Sequence, residues 1–175
     1  RQMCIRDSIC TSNDAHFKVA MAAVEAGKPF NLEKPITLTA EEADILAKAA
    51  QEKNVKNMVC FSYRFKAAAR YAKDLIAQGK IGRVYHVNMQ YFQAWGLPRA
   101  NCPLVWRYVK SRTGTGALGD LGSHALDLVR FVTNKEYTRV VGHTGTYVHE
   151  RPLLDGKGVG KVDVDDFSNY MADME

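Results

Sequence analysis

The sequence predicts an α/β protein: part of a parallel sheet with crossover helices, followed by an α+β second lobe whose sheet is open and largely antiparallel. Three observations carry this. Short apolar runs at 9–11, 29–33 and 56–61 alternate with helix-period segments. The pattern then changes in 84–95, where Tyr85, Val87, Met89 and Tyr91 alternate with His86, Asn88 and Gln90, as in a half-buried strand. Two more strand-like runs, 139–148 and 164–174, are separated by a Gly-rich loop around 156–160 rather than by a helix.

Each element has a local cause. Ile9, Cys10 and Thr11 read as a strand end, and Ser12-Asn13-Asp14 then supplies helix-start chemistry. Phe17, Ala20, Met21 and Val24 give the helix over 15–26 its apolar positions, and Gly27 stops it. Residues 29–33 form a short strand leading into Lys34-Pro35. Thr39 with Glu42 three residues on is a capping box, and Ala43, Leu46, Ala47 and Ala50 form the inner stripe behind it. After the strand at 56–61, an Ala-rich helix over 66–78 ends at Gly79. A loop with Pro98 and Pro103 carries Trp106-Arg107. A glycine-rich turn then enters an apolar helix containing Asp120, His124 and Asp127. A boundary near 63–66 divides the chain into 1–64 and 65–175, and no internal repeat or low-complexity tract appears.

Composition excludes several function classes. The net charge of +5 comes from dispersed Lys and Arg, without a basic run or interleaved aromatics, which argues against a nucleic-acid or membrane partner. No apolar stretch of about 18 residues is present. Cys4, Cys10, Cys60 and Cys102 form no C-x-x-C pair and have no His at metal-ligand spacing. They are expected to be reduced thiols of a cytoplasmic protein, with Cys10 and Cys60 as small core hydrophobes and no metal site. The chain starts at Arg1, and its first eight residues have neither a signal-peptide core nor a strand pattern. The expectation is a fragment whose opening residues are foreign.

The chemistry-bearing residues cluster at strand ends and in the glycine turn. If a helix has begun by Asp120, its carboxylate and the His124 ring share a face, and a carboxylate beside an imidazole can raise its basicity. Asp127 lies on or near that face. The bland alternative is a helix-start Asp with a satisfied His beside it. Thr11, Ser12 and Asn13 stand at a strand's carboxyl end and a helix start, where a phosphate, ribose or amide could sit. Lys34 is a site lysine or a solvated loop residue, and His16 is a site residue or an ordinary first-turn residue. Arg64 is read locally as part of a domain-junction clamp.

The stretches CTSNDAH, AVEAGKPFNLEKPITLTAEEAD, MVCFSYRF, IGRVYHVNMQYFQ, VWRYVKSRTGTGALGDLGSHALDLVRF and VDVDDFS resemble, in order and spacing, the Gfo/Idh/MocA family of NAD(P)-dependent sugar and inositol oxidoreductases. The resemblance runs from about residue 9 to 175. It implies that 1–64 is the later part of a Rossmann dinucleotide-binding domain and 65–175 an incomplete substrate and oligomerisation domain. Lys34 of E-K-P matches the family's active-site lysine. Asp120 and His124 match its D-x-x-x-H pair, with the His as general acid/base. Thr11, Asn13 and His16 match the segment along the nicotinamide half of NAD or NADP, and Glu33 matches a neighbour of the nicotinamide ribose. Lys34, Pro35 and Arg64 belong to the same implied cofactor set, as do Trp106 and Arg107 from the second lobe. The family begins with a strand and a G-x-G-x-x-G pyrophosphate turn, and nothing before residue 9 resembles either. The implied reaction is hydride transfer between a sugar or polyol alcohol and NAD(P), with a homo-oligomer as the expected assembly. An NAD-dependent glycosidase of the same fold and a non-catalytic sugar-binding relative are the alternatives.

Overall fold

A computed structural model describes residues 6–175. The first lobe is a parallel sheet in the order β1 (Asp7–Ile9), β2 (Phe30–Leu32), β3 (Asn57–Val59). Helices α1 (Asn13–Glu25) and α2 (Ala40–Glu52) make the crossovers. Thr39 caps α2 as the capping box predicts, its hydroxyl accepting from Glu42 N, while Glu42 Oε2 reaches the backbone N–H of Leu38. One apolar cluster holds the lobe together: Ile9, Phe30 and Leu32 from the sheet, Ala20, Ala23 and Val24 from α1, Leu46 and Ala50 from α2, and Val55 before β3. Gly27 ends α1 with φ +63°, a conformation that costs a glycine little.

Several expectations need correction. Asp7 and Ser8 are strand residues, paired with Phe30 and Asn31, so the expectation of a foreign opening does not extend to them. Residues 1–5, including Cys4, lie outside the described residues. Cys10 is exposed rather than a core hydrophobe, because the ladder ends at Ile9 and the chain turns outward. Ala47 of the expected inner stripe is exposed, and Ala49 packs on the core in its place.

The second lobe follows a 3₁₀ turn at Ser62–Phe65. Helix α3 (Ala67–Ala77) packs against α5 (Ser123–Thr133). A short α4 (Lys110–Thr113) precedes the glycine turn. Strands β4 (Tyr137–Gly145) and β7 (Phe167–Met174) pair antiparallel. The expected Gly-rich loop between them carries a small hairpin, β5 (Glu150–Pro152) with β6 (Val159–Lys161). A second small cluster, Tyr108, Val162 and Val164 with Cys102, Leu104 and Val105, ties the hairpin to the loop before α4.

The strand expected at 84–95 does not form. Among the described residues its backbone finds no ladder partner, and a cavity of about 1060 Å³ is lined by both 82–90 and 169–174. Its intended inner face is therefore left open, with Tyr85 85% and Val87 and Met89 each 40% exposed. No helix among the described residues is long and apolar enough to cross a membrane.

Candidate active site

The carboxyl end of β2 delivers Glu33 and Lys34 to the junction between the lobes, where the Lys34–Pro35 peptide is cis. Lys34 Nζ lies 2.6 Å from Asp120 Oδ1 and 2.8 Å from the Asp120 carbonyl oxygen. The two residues come from different lobes and are 86 positions apart in sequence. The lysine side chain is 12% exposed and the aspartate 31%, so the pair is sheltered but reachable.

What places Asp120 is the glycine turn. Both carboxylate oxygens of Asp165 accept backbone N–H groups, from Gly116 and Leu118, each at 2.7 Å, and the Asp165 carbonyl accepts from Ala117 N. The turn is thus gripped from three sides by a residue just ahead of β7. A side chain at Gly116 would collide with the Asp165 carbonyl. Residues Leu118–Gly122 then form a π-helical turn before α5 begins. A π turn inserts an extra residue into the helical ladder and is often found at functional sites. It changes the relation expected between Asp120 and His124. The Asp120 carboxylate is bonded to Lys34, and no hydrogen bond joins it to the imidazole.

His124 lies instead in an aromatic enclosure. Tyr63 stacks on its ring, with centroids 4.5 Å apart and planes at 24°. Phe61 and Tyr91 approach edge-on at 5.9 and 6.5 Å. Its Nδ1 is buried without a hydrogen-bond partner among the described residues. Its basicity is correspondingly reduced, not raised as the Asp–His spacing suggested. Burial is the main cause and the Lys34 charge the second, and together they outweigh Asp120, Glu33 and Asp127.

A cavity of about 630 Å³ opens at this junction. Of the residues singled out in the sequence, Thr11, Asn13, Glu33, Lys34, Trp106, Arg107 and Asp120 line it. His124 and Pro35 are not among the lining residues. His16 is wholly buried, its two ring nitrogens bonded to the Pro35 and Thr11 carbonyls at 2.8 and 3.2 Å, so it braces the strand ends from behind. Asn13 donates its side-chain N–H groups to the Thr113 carbonyl and hydroxyl, a tie from α1 to the edge of the glycine turn. Arg64 is turned away from the cavity. Its guanidinium grips Asp127 with both Nε and Nη2, as the domain-clamp reading of that residue anticipated.

Several lining residues were not singled out in the sequence. Gln93 and Trp95 line the cavity, and Trp95 Nε1 donates to Gln93 Oε1 while Gln93 Nε2 donates to the Tyr91 hydroxyl. The polar–aromatic alternation of NMQYFQAW was the available hint. Arg151, 3% exposed, donates to the Gly96 and Cys102 carbonyls and lies 3.9 Å from the Tyr108 ring centroid.

Comparison with known proteins matches this architecture in both lobes. Residues 7–61 match the family model described as "Oxidoreductase family, NAD-binding Rossmann fold". Residues 69–175 match the one described as "GFO/IDH/MocA C-terminal domain". Levoglucosan dehydrogenase of Pseudarthrobacter phenanthrenivorans is 39% identical over 170 residues, covering 90% of this chain and 43% of that enzyme. The crystal structure of an oxidoreductase domain protein from Kribbella flavida superposes with a TM-score of 0.92 at 40% identity, covering 99% of this chain and 46% of the other. A levoglucosan dehydrogenase in complex with NADH and levoglucosan superposes with a TM-score of 0.83 at 36% identity, covering 97% and 44%. The chain therefore spans less than half the length of these relatives.

Proposed function

The chain belongs to the GFO/IDH/MocA oxidoreductase family, and on that premise we propose that the whole protein transfers a hydride between a secondary alcohol of a sugar or polyol and NAD or NADP. The observation that carries this reading is the Lys34–Asp120 pair, assembled across the two lobes inside the cavity with the His124 ring electrostatically coupled to the lysine. A neutral sugar fits the cavity's mixed lining of Trp95, Trp106, Gln93 and charged groups. The levoglucosan-bound relative supports the same substrate class.

The donors at the ends of β1 and β2 fit the nicotinamide-ribose end of a dinucleotide. Thr11 and Ser12 stand at the start of α1, and Glu33 offers a carboxylate to a ribose hydroxyl. Bound NAD(P) supplies the hydride acceptor. The protein's own residues handle the oxygen and its proton. An ammonium has three N–H donors, and Asp120 takes two of those on Lys34. Among the described residues the third has no partner, and it can donate to the reacting oxygen and stabilise alkoxide character as it develops. His124 sits behind the Asp120 wall rather than on the cavity lining. In this reading its Nε2, the nitrogen other than the buried Nδ1, takes the hydroxyl proton directly or through a water; burial and the Lys34 charge favour the neutral ring. Asp120 balances the lysine charge and keeps its nitrogen in place.

The test is a panel of polyols and sugars, levoglucosan and inositols among them, offered to the full-length protein with NAD and with NADP. Net reduction of nicotinamide with any of them supports the proposal. Glycoside cleavage without net reduction would point to the glycosidase alternative, and binding without turnover to a non-catalytic relative.

A further inference from the structure

We infer that Tyr63 is a positioning residue for the acid–base step: its stack on His124, together with the hydroxyl contact that ties it to Tyr91, sets the plane of the imidazole. The inference rests on the reading of His124 as the group that moves the proton.

A catalytic histidine is commonly oriented by a hydrogen bond to the nitrogen that does not react. Here that means is missing. Among the described residues nothing accepts from or donates to Nδ1, and the nearby carboxylates are committed elsewhere, Asp120 to Lys34 and Asp127 to Arg64. What meets the ring is aromatic surface. Tyr63 covers one face nearly parallel, while Phe61 and Tyr91 close the edges. Tyr63 is itself fixed at both ends. Its hydroxyl hydrogen-bonds that of Tyr91, and the Lys66 ammonium lies 4.1 Å from its ring centroid. The Tyr91 hydroxyl is held in turn by Gln93, a residue of the cavity wall. Tyr63 follows the last strand of the first lobe, whereas Tyr91 and His124 belong to the second. The stack therefore sets the ring only when the lobes are seated together.

The charged and titratable groups facing His124 are Lys34 and Glu33 from the end of β2, Tyr63 from the 3₁₀ turn, Tyr91, Asp120 from the π turn, and Asp127 from its own helix. Tyr63 is the one whose removal uncovers a face of the ring to water without altering a formal charge.

The experiment compares Tyr63→Leu, Tyr63→Phe and His124→Ala in the full-length enzyme, measuring kcat, KM and the pH dependence of kcat/KM. Tyr63→Leu is expected to lower kcat by about 10–100-fold, the scale of a misplaced reacting group. It should also move the acid limb of kcat/KM to higher pH, because a hydrated imidazole takes up a proton more readily. Cofactor KM stays near wild type, since Tyr63 does not line the cavity. Tyr63→Phe keeps the stack but loses the tie to Tyr91, so kcat should fall by less than in Tyr63→Leu, with an unshifted limb. A Tyr63→Leu enzyme with wild-type kcat and limb, or one that only melts earlier with its limb in place, overturns the inference. Wild-type turnover by His124→Ala would instead overturn the underlying assignment of the base, whatever Tyr63 does.

Discussion

Among the described residues three ion pairs cross between the lobes; Arg112–Asp14 is a half-exposed one, and the surroundings of the other two give them different work. Arg64 meets Asp127 with a two-pronged fork, and the Asp127 side chain is only 6% exposed. Hydrogen bonding to that carboxylate holds the guanidinium even more firmly protonated than usual. Each partner's polar reach is largely spent on the other. Lys34 meets Asp120 as a point charge on a flexible stem, inside a cavity, with Asp120 at 31% exposure and one ammonium proton left over. The same charge chemistry thus holds the lobes together at one place and remains available to a ligand at the other. The difference lies in the remaining donors and in access, not in sign or distance.

Substitutions separate the two roles. Lys34→Met in the full-length enzyme should lower kcat by about 10²–10³-fold, the scale of losing one preorganised donor, while the melting temperature changes little. Gly116→Ala acts on the same side of the comparison indirectly. The added methyl meets the Asp165 carbonyl, so the turn that presents Asp120 must shift, and kcat should fall about 10–100-fold. Arg64→Met tests the other pair. Denaturant titration should show a loss of about 2 kcal/mol, below the usual cost of breaking a buried pair because the arginine side chain is 40% exposed. The folded fraction should keep near-normal kcat. If Arg64→Met abolished turnover at unchanged stability, the division of labour would be wrong.

A smaller effect concerns pH. Burial and Lys34 favour the neutral His124 ring, so its proton is lost at lower pH than from a free imidazole. In the alcohol-oxidising direction the base must be unprotonated. The acid limb of kcat/KM should therefore fall below pH of about 6.5, and Lys34→Met should move it upward as the repelling charge disappears. A downward movement would contradict the electrostatic coupling drawn between these residues.

The two lobes also differ in how far they could be read in advance. In the first, local rules and packing agree. The capping box at Thr39, the stop at Gly27 and the strands expected at 29–33 and 56–61 all occur, while the first strand lies at Asp7–Ile9 rather than 9–11; one compact cluster draws on all three strands' surroundings. In the second, the alternation in 84–95 is a true strand pattern, but a strand needs a neighbour, and none of the described residues offers one. Within the site, the D-x-x-x-H spacing picked out Asp120 and His124 but suggested a side-chain relation between them that the structure does not have. Spacing says nothing about the π turn at Leu118–Gly122, whose entry is gripped by Asp165, some 47 residues later in the chain. Likewise His16 read as a site residue or an ordinary first-turn residue and is a fully buried brace, because its two partners are backbone carbonyls that no side-chain motif encodes. Tyr63 read only as part of a domain junction and Tyr91 only as one face of a strand; their meeting at His124 depends on how the lobes seat.

The most direct measurement is single-turnover hydride transfer in the full-length protein, followed by nicotinamide absorbance, for wild type and His124→Ala at matched cofactor saturation. The account predicts a transfer rate about 10²–10⁴-fold slower in the variant, with cofactor affinity essentially unchanged. A variant that transfers hydride at the wild-type rate would contradict it.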